Sequence, residues 1–245
     1  MVLTIPKCES TIAKSHINIF LLTLDNIKYF KEENMPTGPN IAAVRIELLD
    51  PAKVMQSVQS RAMRGPLAVL KNEAEKRGYA AATGAKNAYG YRHVFVATKE
   101  IKPPKGETGA AVKETSVEIH VQSFTKKGSK DQAALMVVTI QAGTNTETRE
   151  MLLEAPGGNF ATPKEYVIVN NKVTPAKSWW TAFVSCLKSK CIANCLSALL
   201  KCSGTWAAYL ACVLATCAAC GTYCVACATC NCKWWCKWAV GCCKQ

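Results

Sequence analysis

Acidic side chains are missing from the last third of this 245-residue chain, because no Asp or Glu follows Glu165. From Ser178 onward the only charged side chains are lysines, and residues 202–232 carry no charge. Cysteine is nearly absent from the first 185 residues, where Cys8 stands alone, although the chain contains 15 cysteines. The sequence therefore divides into a mixed-charge part and a cationic, cysteine-rich part.

Histidine is also scarce, and this argues against several classes of function. The three histidines, His16, His93 and His120, stand far apart, and the last two lie in strand patterns that are typical of structural histidines. No nucleophile elbow, phosphate loop or metal-binding helix motif is present. We therefore expect neither an enzyme nor a bound cofactor, with no catalytic residues and no dedicated metal site.

A net charge of +13 is compatible with nucleic-acid binding. Eight lysines follow Glu165, and the remaining positive charge is spread along the chain with no arginine cluster and no recognisable reading module. Nucleic-acid binding is therefore not expected.

The first 175 residues predict a mixture of helices and strands. Asp50 and Pro51 are typical of an N-cap followed by the first helical position, and Val54, Val58 and Met63 recur at roughly helical spacing. Gly78 is expected to end a second helix. Alternating apolar residues then indicate an antiparallel meander. The predicted helices span 51–64 and 67–77, and the predicted strands span 41–49, 91–97, 117–121, 135–140, 147–153 and 166–169.

Segregated helices and strands predict an α+β domain over residues 1–175, which we interpret as a carrier or immunity-like domain. Residues 176–245 are predicted to form a small, all-α, disulfide-stapled helical hairpin. Its first helix is expected near 186–200, a break at Ser203 and Gly204, and its second helix from Trp206 to about Cys230. Cys217, Cys220, Cys224 and Cys227 would lie on one stripe of the second helix, and they would need partners on a facing helix.

Fourteen cysteines lie in the second part, and their even number allows seven disulfides whose connectivity the sequence does not decide. Cys8 would then be a thiol outside the cluster. Thiolate chelation of zinc or copper(I) is the alternative, because several Cys-x-x-Cys spacings occur here. The disulfide candidates are Cys186, Cys191, Cys195, Cys202, Cys212, Cys217, Cys220, Cys224, Cys227, Cys230, Cys232, Cys236, Cys242 and Cys243.

The uncharged stretch 202–232 is longer than the ~20 residues that cross a bilayer, so a transmembrane helix and a stapled amphipathic hairpin are both compatible with it. Tryptophan and lysine flank the stretch, and both residue types favour the membrane interface. We therefore expect contact with anionic bacterial membranes; a patch in a protein core or at a protein–protein interface is the alternative, because tryptophan is common at both. The residues predicted to make it are Trp179, Trp180, Lys233, Trp234, Trp235, Lys237 and Trp238.

An ordinary N-terminal part followed by a cysteine-dense apolar unit, Cys186 to Cys243, resembles the precursors of halocin-type bacteriocins. The resemblance implies that the C-terminal peptide is released as an antimicrobial and that the N-terminal part confers immunity by contact with it. The chain departs from that pattern in its lack of a twin-arginine signal. The alternatives are an intracellular thiol-rich metal-binding protein and a membrane-anchored scaffold.

Dense disulfides persist in oxidising surroundings, so the peptide is expected to be secreted after synthesis in the cytoplasm. The export route is not evident, because the apolar run at 19–24 is short and Asp25 follows it at once.

Overall fold

The computed structural model describes residues 28–30, 41–176, 178–191, 193–230 and 234–235. Several residues singled out in the sequence lie outside the described residues: Cys8, the run at 19–24, Cys232, Lys233, Cys236, Lys237, Trp238, Cys242 and Cys243.

In the described part of the chain, nine strands form one antiparallel sheet. They are β1 (Lys28–Phe30), β2 (Ile41–Leu48), β3 (Tyr79–Ala81), β4 (Ala88–Ile101), β5 (Val112–Lys126), β6 (Gln132–Ala142), β7 (Asn145–Ala155), β8 (Lys164–Val169) and β9 (Lys172–Ala176). The order is β1-β2-β4-β5-β6-β7-β8-β9, and β3 pairs with the end of β5. The predicted meander is confirmed. Strand β9 was not predicted because it contains Pro175, which has no backbone N–H to donate. An edge strand accommodates proline, because it has a neighbouring strand on one side only.

The described residues also form five α-helices with defined bounds: α1 (Pro51–Arg61), α2 (Pro66–Lys76), α3 (Ser178–Lys190), α4 (Ala193–Lys201) and α5 (Trp206–Thr229). The side chain of Asp50 accepts a hydrogen bond from the Lys53 amide at 2.9 Å, which confirms the predicted N-cap of α1. Val54 and Val58 are buried as expected. The prediction for Met63 was wrong, because α1 ends at Arg61 and Met63 is 78% exposed.

Helices cover both faces of the sheet. Helices α1 and α2 pack on one face, where Leu135 and Val137 of β6 join their core. Helices α3, α4 and α5 belong to the core on the other face, to which Met136 and Val138 contribute. Successive side chains of a strand point to opposite faces of the sheet, so the consecutive apolar residues 135–138 contribute to both cores. The predicted fold class, an α+β part followed by a disulfide-stapled helical region, is confirmed.

Two close contacts place α1 against the sheet. Gly90 of β4 lies beneath α1, where a Cβ atom would come within 2.5 Å of Cγ2 of Val54 and 3.0 Å of the Ile119 carbonyl oxygen. On β5, His120 Nδ1 lies 3.0 Å from Ser57 Oγ, and His120 Nε2 lies 2.8 Å from a carboxylate oxygen of Glu118. His120 therefore connects the helix to the strand.

Candidate functional site in the helical unit

The helical unit, which we define as α3, α4 and α5, is cross-linked by four described disulfides. They join Cys186 to Cys224, Cys191 to Cys220, Cys195 to Cys217 and Cys202 to Cys212. The sequence separations of 38, 29, 22 and 10 residues are nested, as antiparallel partners require. Cys227 and Cys230 are also disulfide-bonded. The disulfide-rich character is confirmed.

The first half of the hairpin differs from its prediction. A single helix near 186–200 was expected, whereas α3 begins at Ser178 and ends at Lys190, and α4 follows after a break. The segment that contains α3 and α4 is therefore joined to α5 at four successive positions along α5. Each disulfide of this kind contributes roughly 2–4 kcal/mol, largely by constraining the unfolded chain, so the unit is strongly stapled.

The N-terminus of α3 is held by a carboxylate of the sheet. Glu165 of β8, whose side chain is 1% exposed, accepts hydrogen bonds from the amides of Trp179 and Trp180, each at 3.1 Å. Arg149 of β7 donates to the other carboxylate oxygen at 2.8 Å. The first amides of a helix have no partner within the helix, and its dipole favours a negative charge there. Glu165 satisfies both requirements from outside the helical unit.

The N-terminus of α5 is held in the same manner. Ser123 of β5, which is fully buried, accepts a hydrogen bond through its Oγ from the amide of Ala207 at 2.9 Å. Thr205, the residue before the helix, accepts from the amide of Ala208 at 3.4 Å. The long helix of the unit therefore begins on a hydroxyl that the sheet supplies.

Most of the tryptophans predicted to contact a membrane are covered in this fold. Trp179 and Trp180 are 1% and 5% exposed, and their indole N–H groups donate to Thr229 Oγ1 at 2.8 Å and to the Ala161 carbonyl at 3.3 Å. Trp235 is buried and Trp234 is half-buried. Membrane contact through these rings requires that the helical unit separate from the sheet.

Further aromatic rings fill the space between α5 and the sheet. Phe160, which precedes β8, stacks on Tyr209 with ring centroids 4.6 Å apart. Trp206 meets Phe160 edge to face at 5.0 Å and Trp180 at 5.6 Å. Aromatic pairs of this kind contribute about 0.5–1.5 kcal/mol beyond the burial of their area. Apolar and aromatic packing therefore joins the helical unit to the sheet.

One titratable side chain lies inside this interface. His93 of β4 is 4% exposed, and its Nε2 lies 3.4 Å from Thr222 Oγ1 of α5. The rings of Tyr91 and Phe95 flank the imidazole, with centroids 4.8 and 6.3 Å away. Burial lowers the pKa of His93 to about 3, because a charged imidazolium would lose its hydration here.

The outer surface of the helical unit is cationic. Lys188, Lys190 and Lys201 are exposed on it, and Leu200 is 80% exposed beside the last of them. Among the described residues, no single helix is long and apolar enough to cross a bilayer. Helix α5 is bent by 117° between its two halves, Trp206–Cys217 and Cys220–Thr229, which reach the length and composition of a span only together.

Sequence reasoning missed Glu165 and Ser123, the residues of the sheet that cap helices of the helical unit, and it interpreted His93 only as a structural histidine in a strand. No family model matches this chain, and neither a curated protein nor a solved structure does.

Proposed function

We propose that the chain is the precursor of a secreted, cysteine-rich antimicrobial peptide that acts on bacterial membranes, with the sheet as its carrier or immunity part. The observation that carries the proposal is the capping of both buried helix N-termini of the peptide by side chains of the sheet, Glu165 for α3 and Ser123 for α5. The Glu165 carboxylate is a group that the peptide itself lacks, because no Asp or Glu follows Glu165.

Burial of the tryptophans explains why the precursor would be harmless. Trp179, Trp180 and Trp206 face the core beneath the sheet, while Lys188, Lys190 and Lys201 face solvent. Separation would expose the rings on a unit that already carries positive charge and no carboxylate. Lysine then attracts the unit to anionic lipid, and tryptophan inserts at the interface.

The disulfides would preserve the hairpin after separation. A unit of some sixty residues has a marginal core, and cross-links supply the stability that such a core lacks. They also keep the membrane-active face preorganised, which lowers the entropic cost of binding. The peptide would then leave the cell. A sheet part that stays in the producing cell would bind returning peptide through the same contact and so confer self-immunity.

A cleavable version of the chain tests the proposal. A site-specific protease sequence is inserted between Ala176 and Ser178, the oxidised protein is cut, and the two parts are separated. We expect the separated peptide to release dye from anionic vesicles, whereas the uncut protein does not. Adding the sheet part back should suppress release.

Two controls sharpen this experiment. Zwitterionic vesicles should resist the peptide, because lysine gains little without anionic lipid. Peptide that has been reduced and alkylated should lose its activity, because the hairpin does not persist without its disulfides. The proposal is wrong if the oxidised, separated peptide neither releases dye nor inhibits any bacterium. A chain that stays uncut in the membrane fraction of its host would instead indicate a membrane anchor.

A further inference from the structure

Two neighbouring disulfides of the helical unit, Cys186–Cys224 and Cys191–Cys220, lie side by side. Cys191 Sγ is 3.9 Å from Cys224 Sγ, although each belongs to a different disulfide. The sulfur atoms of Cys191, Cys220 and Cys224 all lie within 4.8 Å of one another, and Cys186 is bonded directly to Cys224. Three sulfur atoms from both sides of the hairpin therefore lie in one small volume, and the sulfur atom of Cys186 is one bond away from this group.

The distance between one pair of these sulfur atoms matches the spacing in a tetrahedral thiolate site. Zinc binds cysteine sulfur at about 2.3 Å, which places tetrahedral sulfur ligands roughly 3.8 Å apart. The distance between Cys191 and Cys224 already has this value. Within each disulfide, side-chain rotation separates the sulfur atoms after reduction, since the Cα atoms are 5.4 and 5.9 Å apart.

The scaffold places these four cysteines on rigid elements. Cys186 lies in α3 and Cys191 follows its last residue, while Cys220 and Cys224 stand one turn apart on α5. Cys191 and Cys220 are half-buried, and Cys186 and Cys224 are buried. A metal ion would therefore be shielded from bulk water and still be reachable from the surface.

The local charge also favours such a site. Four thiolates around Zn²⁺ carry a net charge of −2, which needs cations nearby and no competing carboxylates. Lys188 and Lys190 lie in the last turn of α3, between Cys186 and Cys191, and no Asp or Glu follows Glu165 in the chain. Electrostatic attraction from the lysines would stabilise the anionic complex.

We propose that Cys186, Cys191, Cys220 and Cys224 bind one zinc ion as four thiolates while the chain is in a reducing compartment. On binding, four thiols release four protons to the solvent. Later, two molecules of a disulfide oxidant accept four electrons from the four thiolates. Two protein disulfides form, the oxidant leaves as four thiolates, and Zn²⁺ is released.

This site goes beyond the proposed antimicrobial function and does not depend on it. Newly made protein is reduced in the cytoplasm, where disulfides do not persist. Zinc would hold α3 against α5 in the register that the disulfides later fix. Zinc binding by the reduced chain is measured without lipid or bacteria, so its failure is distinguishable from failure of the antimicrobial proposal.

Cobalt titration of the reduced full-length chain tests the site. Protein is reduced with a phosphine, and Co²⁺ is added while its visible absorption reports tetrahedral thiolate coordination; Zn²⁺ is then added to displace it. The test variant is Cys191→Ser with Cys220→Ser, and the matched control is Cys202→Ser with Cys212→Ser. We expect the test variant to lose one metal equivalent per chain, and the control to lose none.

Alkylation mapping of the unaltered chain gives a second measurement that requires no variant. In the reduced chain with one equivalent of zinc, Cys186, Cys191, Cys220 and Cys224 should react at least tenfold more slowly than Cys202 and Cys212. Equal metal stoichiometry in both variants, or protection of other cysteines in place of these four, would overturn the proposal.

Discussion

Acid should loosen the helical unit from the sheet through His93. The imidazole is neutral in the folded protein, because burial lowers its pKa from 6.5 to about 3, whereas the unfolded chain regains the ordinary value. The unfolded state therefore binds a proton more readily than the folded state. The contribution to stability is fully present above pH 6.5 and is lost as the pH falls from 6.5 toward 3.

The size of the effect follows from the two pKa values. Near pH 5 almost every unfolded molecule carries the proton on His93, and almost no folded molecule does. The free energy of unfolding should therefore be about 2 kcal/mol lower near pH 5 than near pH 7 from this residue alone. Glu118, whose pKa His120 holds below 4.5, loses its own contribution only at more acidic pH, so the two effects separate.

Urea unfolding under non-reducing conditions measures this difference. Tryptophan fluorescence follows the transition, since Trp179, Trp180 and Trp206 lie in the core shared with the sheet. The His93→Gln variant removes the titrating group and should lose about 2 kcal/mol less than the unaltered protein between pH 7 and pH 5. A variant with the same pH dependence as the unaltered protein would refute this account of His93.

Two further predictions concern single side chains. Gly90→Ala should lower the free energy of unfolding by about 1–3 kcal/mol, because the new Cβ atom would clash with Val54. Adding Val54→Ala should recover part of that loss. Lack of recovery would show that the clash lies elsewhere. Glu165→Ala should lower the free energy of unfolding, measured with urea, by about 3 kcal/mol, because it leaves Arg149 and two amides of α3 without their buried partner. The control Glu114→Ala, at an exposed ion pair, should lower it by less than about 1 kcal/mol. Equal costs would contradict the role of Glu165 at α3.

Much of the fold follows from local sequence signals. Asp50 before Pro51 places the start of α1, and Gly78, with its positive φ of 84°, follows the end of α2 where the chain turns left-handed. The alternating residues of β4 and β5 reveal strands directly. Short elements such as β1 and β3 carry only three residues each, which is too few for a period to be recognised.

The position of the helical unit was harder to foresee. The apolar run from Leu135 to Ile140 has no polar face, and such a run is typical of a strand that is covered on both sides. Helices α1 and α2 cover only one of these sides. The run therefore contained a signal that another layer exists, but nothing local identifies the cysteine-rich part as that layer.

The disulfide pairing needed information that the sequence does not hold. The stripe of Cys217, Cys220 and Cys224 was evident from helical spacing, and an antiparallel hairpin implies nested partners. The register of those partners depends on the break between α3 and α4, which no glycine or proline marks. Glu165 and Ser123 were missed because a single polar residue in a strand has no pattern; its partners lie far away in the chain.

Intact mass of the protein from its native host shows whether a disulfide-bonded peptide is released. Cells and medium are analysed separately, with thiols alkylated before and after reduction. We expect a C-terminal fragment in the medium that does not react with the alkylating agent until it is reduced, and whose mass rises by about 2 Da per disulfide on reduction alone. A full-length chain found only in cells, with cysteines that react without reduction, would contradict it.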